Sequence, residues 1–131
     1  MTILVTGGAG FVGANLVRKL QHAHPDADII VIDDFRTGHF ANLCDEGNAG
    51  RAPFSFAGHV IARPLHEMDL ESVIEQFEPD VVFHEASITD TRITDQAKMI
   101  AENVEPFEAL LALAVETGFK LVWASSAATY G

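Results

Sequence analysis

The chain has 131 residues, 48% of them hydrophobic, a net charge of −11 and a single cysteine, Cys44. That length and apolar content suit one domain with one core rather than a disordered chain; the single cysteine excludes an intrachain disulfide and a cysteine-rich zinc site. No block of Lys or Arg marks a nucleic-acid footprint, and neither a secretory signal nor an apolar run long enough for a membrane span is present, so the expectation is a soluble cytoplasmic protein with no nucleic-acid or membrane partner.

Residues 2–6 form a short apolar, β-branched run that breaks into Gly7-Gly8-Ala9-Gly10-Phe11-Val12-Gly13, and an apolar-periodic stretch follows at once. The pattern predicts a strand, a tight glycine turn and a helix. Glycines at 7, 10 and 13 have the G-x-x-G-x-x-G spacing. Gly7 can take a positive φ and turn the chain off the strand. Gly10, without a side chain, lets a pyrophosphate approach the backbone, and Gly13 lets helix and strand pack closely. The first N–H groups of the helix lack intrahelical partners and, with the helix dipole, favour an anion. With a strand before it, a helix after it and an acidic pair about twenty residues on, the turn reads as a dinucleotide fingerprint rather than a bare glycine turn.

The first helix is expected over residues 11–21, with Val12, Leu16 and Leu20 as a buried stripe and Val17 beside it. Residues 29–32 are a continuous apolar run, as expected of a strand covered on both faces. It ends at Asp33-Asp34. A carboxylate there can accept hydrogen bonds from the adenosine ribose and repel a 2′-phosphate, which favours NAD over NADP. The pair also reads as two exposed loop carboxylates, and Arg36 and His39 nearby can still tolerate a phosphate, so NADP stays open.

Residues 40–44 suit a helical turn, residues 45–50 a surface loop, and residues 58–62 a third strand. Asp69 reads as the N-cap of a helix whose stripe is Leu70, Val73, Ile74 and Phe77 and which stops at Glu78-Pro79-Asp80. Residues 81–83 predict a fourth strand, and His84-Glu85-Ala86-Ser87 opens the loop after it. A helix over residues 95–117 follows, with Ile100, Val104, Phe107 and Leu111 as its buried face, Gly118 as C-cap, and Pro106 expected to kink it or weaken the bond to Glu102. Residues 121–124 predict the fifth strand, leading to Ser125-Ser126. This alternation implies an α/β chain with a doubly wound parallel sheet of about five strands. Ligands of such sheets bind beyond the strands' carboxyl ends, where the glycine turn, Asp33, residues 84–89 and Ser125-Ser126 all fall.

Thr6-Gly7-Gly8-Ala9-Gly10-Phe11-Val12-Gly13, Phe83-His84-Glu85-Ala86-Ser87, Ile88-Thr89-Asp90-Thr91 and Ala124-Ser125-Ser126-Ala127-Ala128-Thr129-Tyr130-Gly131 together resemble the extended short-chain dehydrogenase/reductase family, which includes the NAD-dependent nucleotide-sugar epimerases and dehydratases. The resemblance implies a Rossmann-type fold and NAD as cofactor. It implies transient hydride transfer at a carbon of a nucleotide sugar, assisted by a Tyr-x-x-x-Lys pair and a Ser or Thr. Here Ser126 takes the serine role, as a hydrogen-bonding partner of the reacting oxygen. Cofactor contacts fall on Gly7, Gly10, Phe11, Val12, Gly13, Asp33, Asp34, Glu85, Ala86, Ser87, Ile88 and Asn103. Relatives pair as homo-oligomers through two helices, of which the one near residues 95–117 is here.

The departures are specific. The 131 residues contain no Tyr-x-x-x-Lys, and Tyr130 reads as a packing residue. Arg63-Pro64 stands where relatives carry an adenine-contacting Asp, Glu102-Asn103 where they often carry Asn-Asn, and Pro106 where they commonly carry Gly. Asn103, in mid-helix, has the alternative of bridging backbone groups. Relatives are more than twice as long, so the expectation is the dinucleotide-binding part of such an enzyme, truncated before the substrate domain and inactive alone; the competing reading is a non-catalytic nucleotide-binding module or an inactive fragment.

Overall fold

The computed structural model describes residues 1–44, 55–90 and 92–126. Five strands, β1 (Thr2–Thr6), β2 (Asp28–Asp33), β3 (His59–Ala62), β4 (Val81–His84) and β5 (Lys120–Trp123), form one sheet in the order β3-β2-β1-β4-β5. Every neighbouring pair is parallel. The chain runs outward from β1 to β3, returns past its starting point and runs outward again from β4 to β5. A crevice therefore opens beyond the carboxyl ends of β1 and β4, where the direction reverses.

The apolar runs are continuous because both faces of the sheet are covered. Leu4, Ile30, Ile32 and Val82 point to one layer, closed by Leu65, Leu70, Ile74, Leu110 and Phe119. Ile3, Val5, Ile29 and Val31 point to the other, closed by Ala14, Val17 and Leu43. The first layer belongs to helices α2 (Leu70–Phe77) and α4 (Glu105–Thr117), the second to α1 (Phe11–Ala23) and a 3₁₀ turn at Phe40–Leu43. Strand alternation thus sends neighbouring residues of one run into two different cores.

The caps behave as their residue types require. Asp69 accepts from the Ser72 N–H at 3.3 Å and from the Ser72 hydroxyl at 2.8 Å. Glu78 ends α2 in the left-handed region at φ 43°, and Pro79 after it disfavours continuing the helix. Gly118 ends α4 at φ 86°.

Several expectations need correction. Helix α1 buries Gly13, Ala14 and Val17; Val12 is exposed, because it faces the crevice instead of the sheet. In the last helical region Pro106 and Leu110 are buried, whereas Ile100, Val104 and Leu111 are exposed, with Val115 beside them. Of the expected face only Phe107 is half-buried, against His84 and Trp123; the other three are left exposed among the described residues. Residues 96–117 are not one regular helix either. A first turn, α3 (Gln96–Met99), widens into π geometry over Ile100–Val104 before α4 begins, and the Glu105 N–H reaches the Ile100 carbonyl five residues back. Pro106 lacks an N–H for the carbonyl four residues behind it, and the widened turn absorbs that loss without a sharp break. Residues 45–50 and Tyr130 lie outside the described residues. No helix among the described residues is long and apolar enough to cross a membrane.

Candidate functional site

A cavity of about 530 Å³ occupies the crevice, within the size range of small-molecule and cofactor sites. Gly7, Gly10, Phe11, Val12 and Gly13 line one side of it. Asp33 and Asp34 line the end of β2, and Glu85, Ala86, Ser87 and Ile88 line the loop after β4. The fold therefore brings together eleven residues singled out in the sequence, from three separate segments.

The glycine turn leaves no room for a side chain at Gly7 or Gly13, whereas a Cβ at Gly10 would meet only the Gly7 carbonyl oxygen, at 3.3 Å. Gly7 has φ 67°, and a Cβ there would lie 2.7 Å from the Ala86 nitrogen. At Gly13 a Cβ would lie 2.1 Å from the Gly7 carbonyl oxygen and 2.7 Å from the Gly8 Cα. The Gly10 N–H donates to the Gly7 carbonyl at 3.2 Å, and the Ala14 N–H to the Gly10 carbonyl at 2.9 Å, so helix α1 starts directly from the turn. The residues of its first turn line the cavity, and N–H groups there have no intrahelical partner, a start that suits a diphosphate. These residues fit a dinucleotide.

Asp33 does more than its position suggested. One carboxylate oxygen accepts from the Ala9 N–H at 2.9 Å and the other from the Phe35 N–H at 2.8 Å. Asn42 adds a second brace, its side-chain amide donating to the Ala9 carbonyl at 2.9 Å. Asp33 therefore ties β2 to the glycine turn; each oxygen keeps a second lone pair for a ligand hydroxyl. Asp34 accepts from the Arg36 N–H at 3.0 Å and pairs with the Arg36 guanidinium, which extends to Glu102 at 2.7 Å.

Asn103 is not among the residues lining the cavity. Its Oδ1 accepts from the Ile88 N–H at 2.7 Å and its Nδ2 donates to the Ile88 carbonyl at 3.1 Å. That two-point clasp holds the loop after β4 on the π turn, the backbone-bridging alternative of the two read from the sequence. Ser126 is exposed beyond the end of β5 and is likewise not part of the lining.

A buried polar pair escaped sequence reasoning. Thr6 and His84 are partners in the β1–β4 register, and the Thr6 hydroxyl lies 2.8 Å from His84 Nδ1. The same hydroxyl oxygen accepts from the Ala86 N–H at 3.2 Å. With one proton and two lone pairs the hydroxyl can donate to Nδ1 or accept from it, so it serves either imidazole tautomer. Burial pushes the imidazole below its ordinary pKa, so the ring is held neutral. It stacks at 5.9 Å on Phe107, which meets Trp123 at 5.4 Å. Next to it, Glu85 is pushed up from the ordinary carboxyl range by burial. Arg63, in place of the expected acidic residue, also lines the cavity, as do Lys98 and Glu102. Only the spacing of the apolar strands, which sets the register, could have put Thr6 beside His84 in advance.

The sequence matches the NAD dependent epimerase/dehydratase family over residues 3–131. It is 31% identical over 129 residues to the ADP-L-glycero-D-manno-heptose-6-epimerase of Brachyspira hyodysenteriae, covering 98% of this chain and 38% of that protein. The fold superposes on the crystal structure of the Helicobacter pylori ADP-L-glycero-D-manno-heptose-6-epimerase with a TM-score of 0.81 and 39% identity, over 99% of this chain and 40% of that one. It superposes on the Bordetella bronchiseptica enzyme WbmG in complex with NAD with a TM-score of 0.77 and 31% identity, over 100% of this chain and 39% of that one. The chain thus spans about two fifths of the length of these relatives. With its glycine turn, its β2 carboxylates and the match over nearly its whole length, the chain belongs to the NAD dependent epimerase/dehydratase family.

Proposed function

We propose that residues 1–131 are the dinucleotide-binding part of a cytoplasmic nucleotide-sugar epimerase that takes NAD, with NADP as the alternative, and that ADP-L-glycero-D-manno-heptose is the first substrate class to test. The observation that carries this is the closed glycine turn at Gly7, Gly10 and Gly13, facing a cavity whose other walls are Asp33-Asp34 and residues 85–88. The two heptose epimerases among the relatives support the choice of sugar.

When bound, the nicotinamide supplies a site that takes a hydride from a sugar carbon and returns it. The chain's own residues bind and orient. The N–H groups at the start of α1 hold the diphosphate through their unshared hydrogens and the helix dipole. Asp33, already fixed by two backbone N–H groups, accepts from a ribose hydroxyl with its remaining lone pairs. Ser126 hydrogen-bonds the oxygen of the reacting sugar carbon. Asn103 acts at one remove, by keeping Ile88 and its loop in place. The exposed apolar stripe of Ile100, Val104, Leu111 and Val115 supports a second copy as partner, giving a homo-oligomer of the intact protein.

The test uses the intact gene product from its source. NADH is titrated while emission from Trp123 is followed, and ADP-heptose is then offered and its sugar configuration read by NMR. A saturable change with epimerised product is expected. Ser126→Ala is expected to lower turnover about a hundredfold with cofactor affinity little changed. Saturable cofactor binding with no change in any nucleotide sugar would put the non-catalytic binding module in its place. No binding at all would overturn both.

A further inference from the structure

Arg36 stands two residues past the acidic end of β2, where a cation would meet the 2′-phosphate of an NADP-type cofactor. In this molecule that guanidinium is already engaged twice. Nε pairs with Asp34, its loop neighbour, and Nη2 lies 2.7 Å from Glu102 Oε2. The second contact is a close charge pair not aligned as a hydrogen bond. Asp34 is a local partner that any Asp-x-Arg turn could supply. Glu102 is different: it comes from the π turn on the other side of the cavity, and its side chain is only 10% exposed.

A carboxylate that is nearly dehydrated attracts a neighbouring cation with little screening. Lys98, one turn back on the same helix, lies 3.8 Å from the other Glu102 oxygen and offsets part of its charge. Arg63 lines the same end, one residue past the Ala62 partner of Asp33, so Asp33, Asp34 and Glu102 are matched in number by Arg36, Lys98 and Arg63. An incoming phosphate dianion would find no surplus of positive charge here, and a half-exposed arginine already paired with two carboxylates. The pair holds Arg36 firmly in its charged state, Glu102 being the largest cause of its raised pKa, with Asp34 also contributing.

We infer that Glu102 is a cofactor-specificity residue of this site: by holding Arg36 across the cavity it withholds the guanidinium from a 2′-phosphate and so sets the site for NAD over NADP. The inference rests on the dinucleotide reading of the site. It also gives a role to the departure at Glu102-Asn103, where the neutral amide expected from relatives would leave Arg36 free to turn.

The experiment measures NADH and NADPH affinities of the intact gene product by nicotinamide fluorescence, for the wild type, Glu102→Gln, Glu102→Asn and Glu102→Gln with Arg36→Ala. Circular dichroism melts accompany each variant, and the shorter Asn keeps the question open to measurement if the Gln variant folds poorly. The expected result is a rise of about tenfold or more in the NADPH-to-NADH affinity ratio in either single variant, and its return toward the wild-type ratio when Arg36 is also removed. A ratio that stays within about threefold of wild type, a wild type that already prefers NADPH, or a gain that survives the loss of Arg36 would overturn it. A wild type that binds neither nucleotide would instead remove the dinucleotide reading, so the two failures are distinguishable.

Discussion

The two walls of the cavity are built on different principles. The glycine wall is backbone packed against backbone. Gly7 sits against the Glu85–Ala86 peptide, Gly13 against the Gly7 carbonyl, and Asp33 and Asn42 bind Ala9 by its N–H and its carbonyl. The opposite wall, residues 85–90, is tied to the sheet at its start by the Glu85 N–H to the Thr6 carbonyl and the Ala86 N–H to the Thr6 hydroxyl, and farther along it hangs on the Asn103 side chain. A wall of the first kind resists an added atom wherever backbone already fills the space, as at Gly7 and Gly13. A wall of the second kind can be retuned by one substitution on a distant helix.

The largest expected effect is at Gly13. In Gly13→Ala the new Cβ would meet the Gly7 carbonyl oxygen at 2.1 Å and the Gly8 Cα at 2.7 Å. Backbone cannot rotate away as a side chain can, so the turn must open, at a cost of about 3 kcal/mol or more. Thermal melting of the intact protein should show a large drop in Tm and no saturable NADH response. A melt near the wild-type value would mean that the turn yields, and the contrast between the walls would go with it.

Next in size is Asn103→Asp, which changes one atom of the clasp. Asp keeps an oxygen to accept from the Ile88 N–H but sets a second oxygen against the Ile88 carbonyl, where Nδ2 now donates at 3.1 Å. Losing that donor and facing two acceptors together costs about 1–3 kcal/mol. Because the clasp holds a loop and not the sheet, the change should be seen chiefly as faster amide exchange over residues 86–90, with a smaller fall in Tm than Gly13→Ala. Unchanged exchange in that loop would show that Asn103 does not hold it.

How far such features can be read in advance depends on the kind of constraint. Residues 2–6 and 29–32 read as two-sided strands because continuous apolar runs bounded by turn residues have few other uses, and Thr2–Thr6 and Asp28–Asp33 are the central strands. The glycine turn was legible because its reason is steric and local. The apolar stripe of Ile100, Val104 and Leu111 was legible as a stripe but misassigned, since periodicity reports that a face is apolar and says nothing of what lies against it. Asp33 was found by position, yet its bonds to the Ala9 and Phe35 N–H groups depend on how the turn folds back over β2. Thr6 and His84 are 78 residues apart and needed the parallel register to meet. The Arg36–Glu102 pair, across two elements, had no local signal at all.

The smallest expected effect separates two adjacent residues at the join between the walls. Burial lowers the His84 pKa and raises that of Glu85, so their contributions to stability run in opposite directions with pH. For His84, the unfolded imidazole starts to take a proton below about pH 6.5 while the folded one still refuses it. The unfolded state then binds more protons, and stability falls as pH drops through that window. For Glu85 the folded carboxyl takes its proton first, at a pH above the ordinary value of about 4.3, so its burial penalty is relieved as pH falls. Glu85 is the more solvated of the two, and its share is the smaller. Melts of the wild type, His84→Asn and Glu85→Gln across the weakly acidic range test both signs. The Asn oxygen can still accept from Thr6 without titrating, so His84→Asn should flatten the loss below about pH 6.5. Glu85→Gln has no penalty to relieve and should fall more steeply than wild type. If both variants keep the wild-type slope, the imidazole and the carboxyl are solvated in solution, and the hung wall is already open to water where it leaves β4.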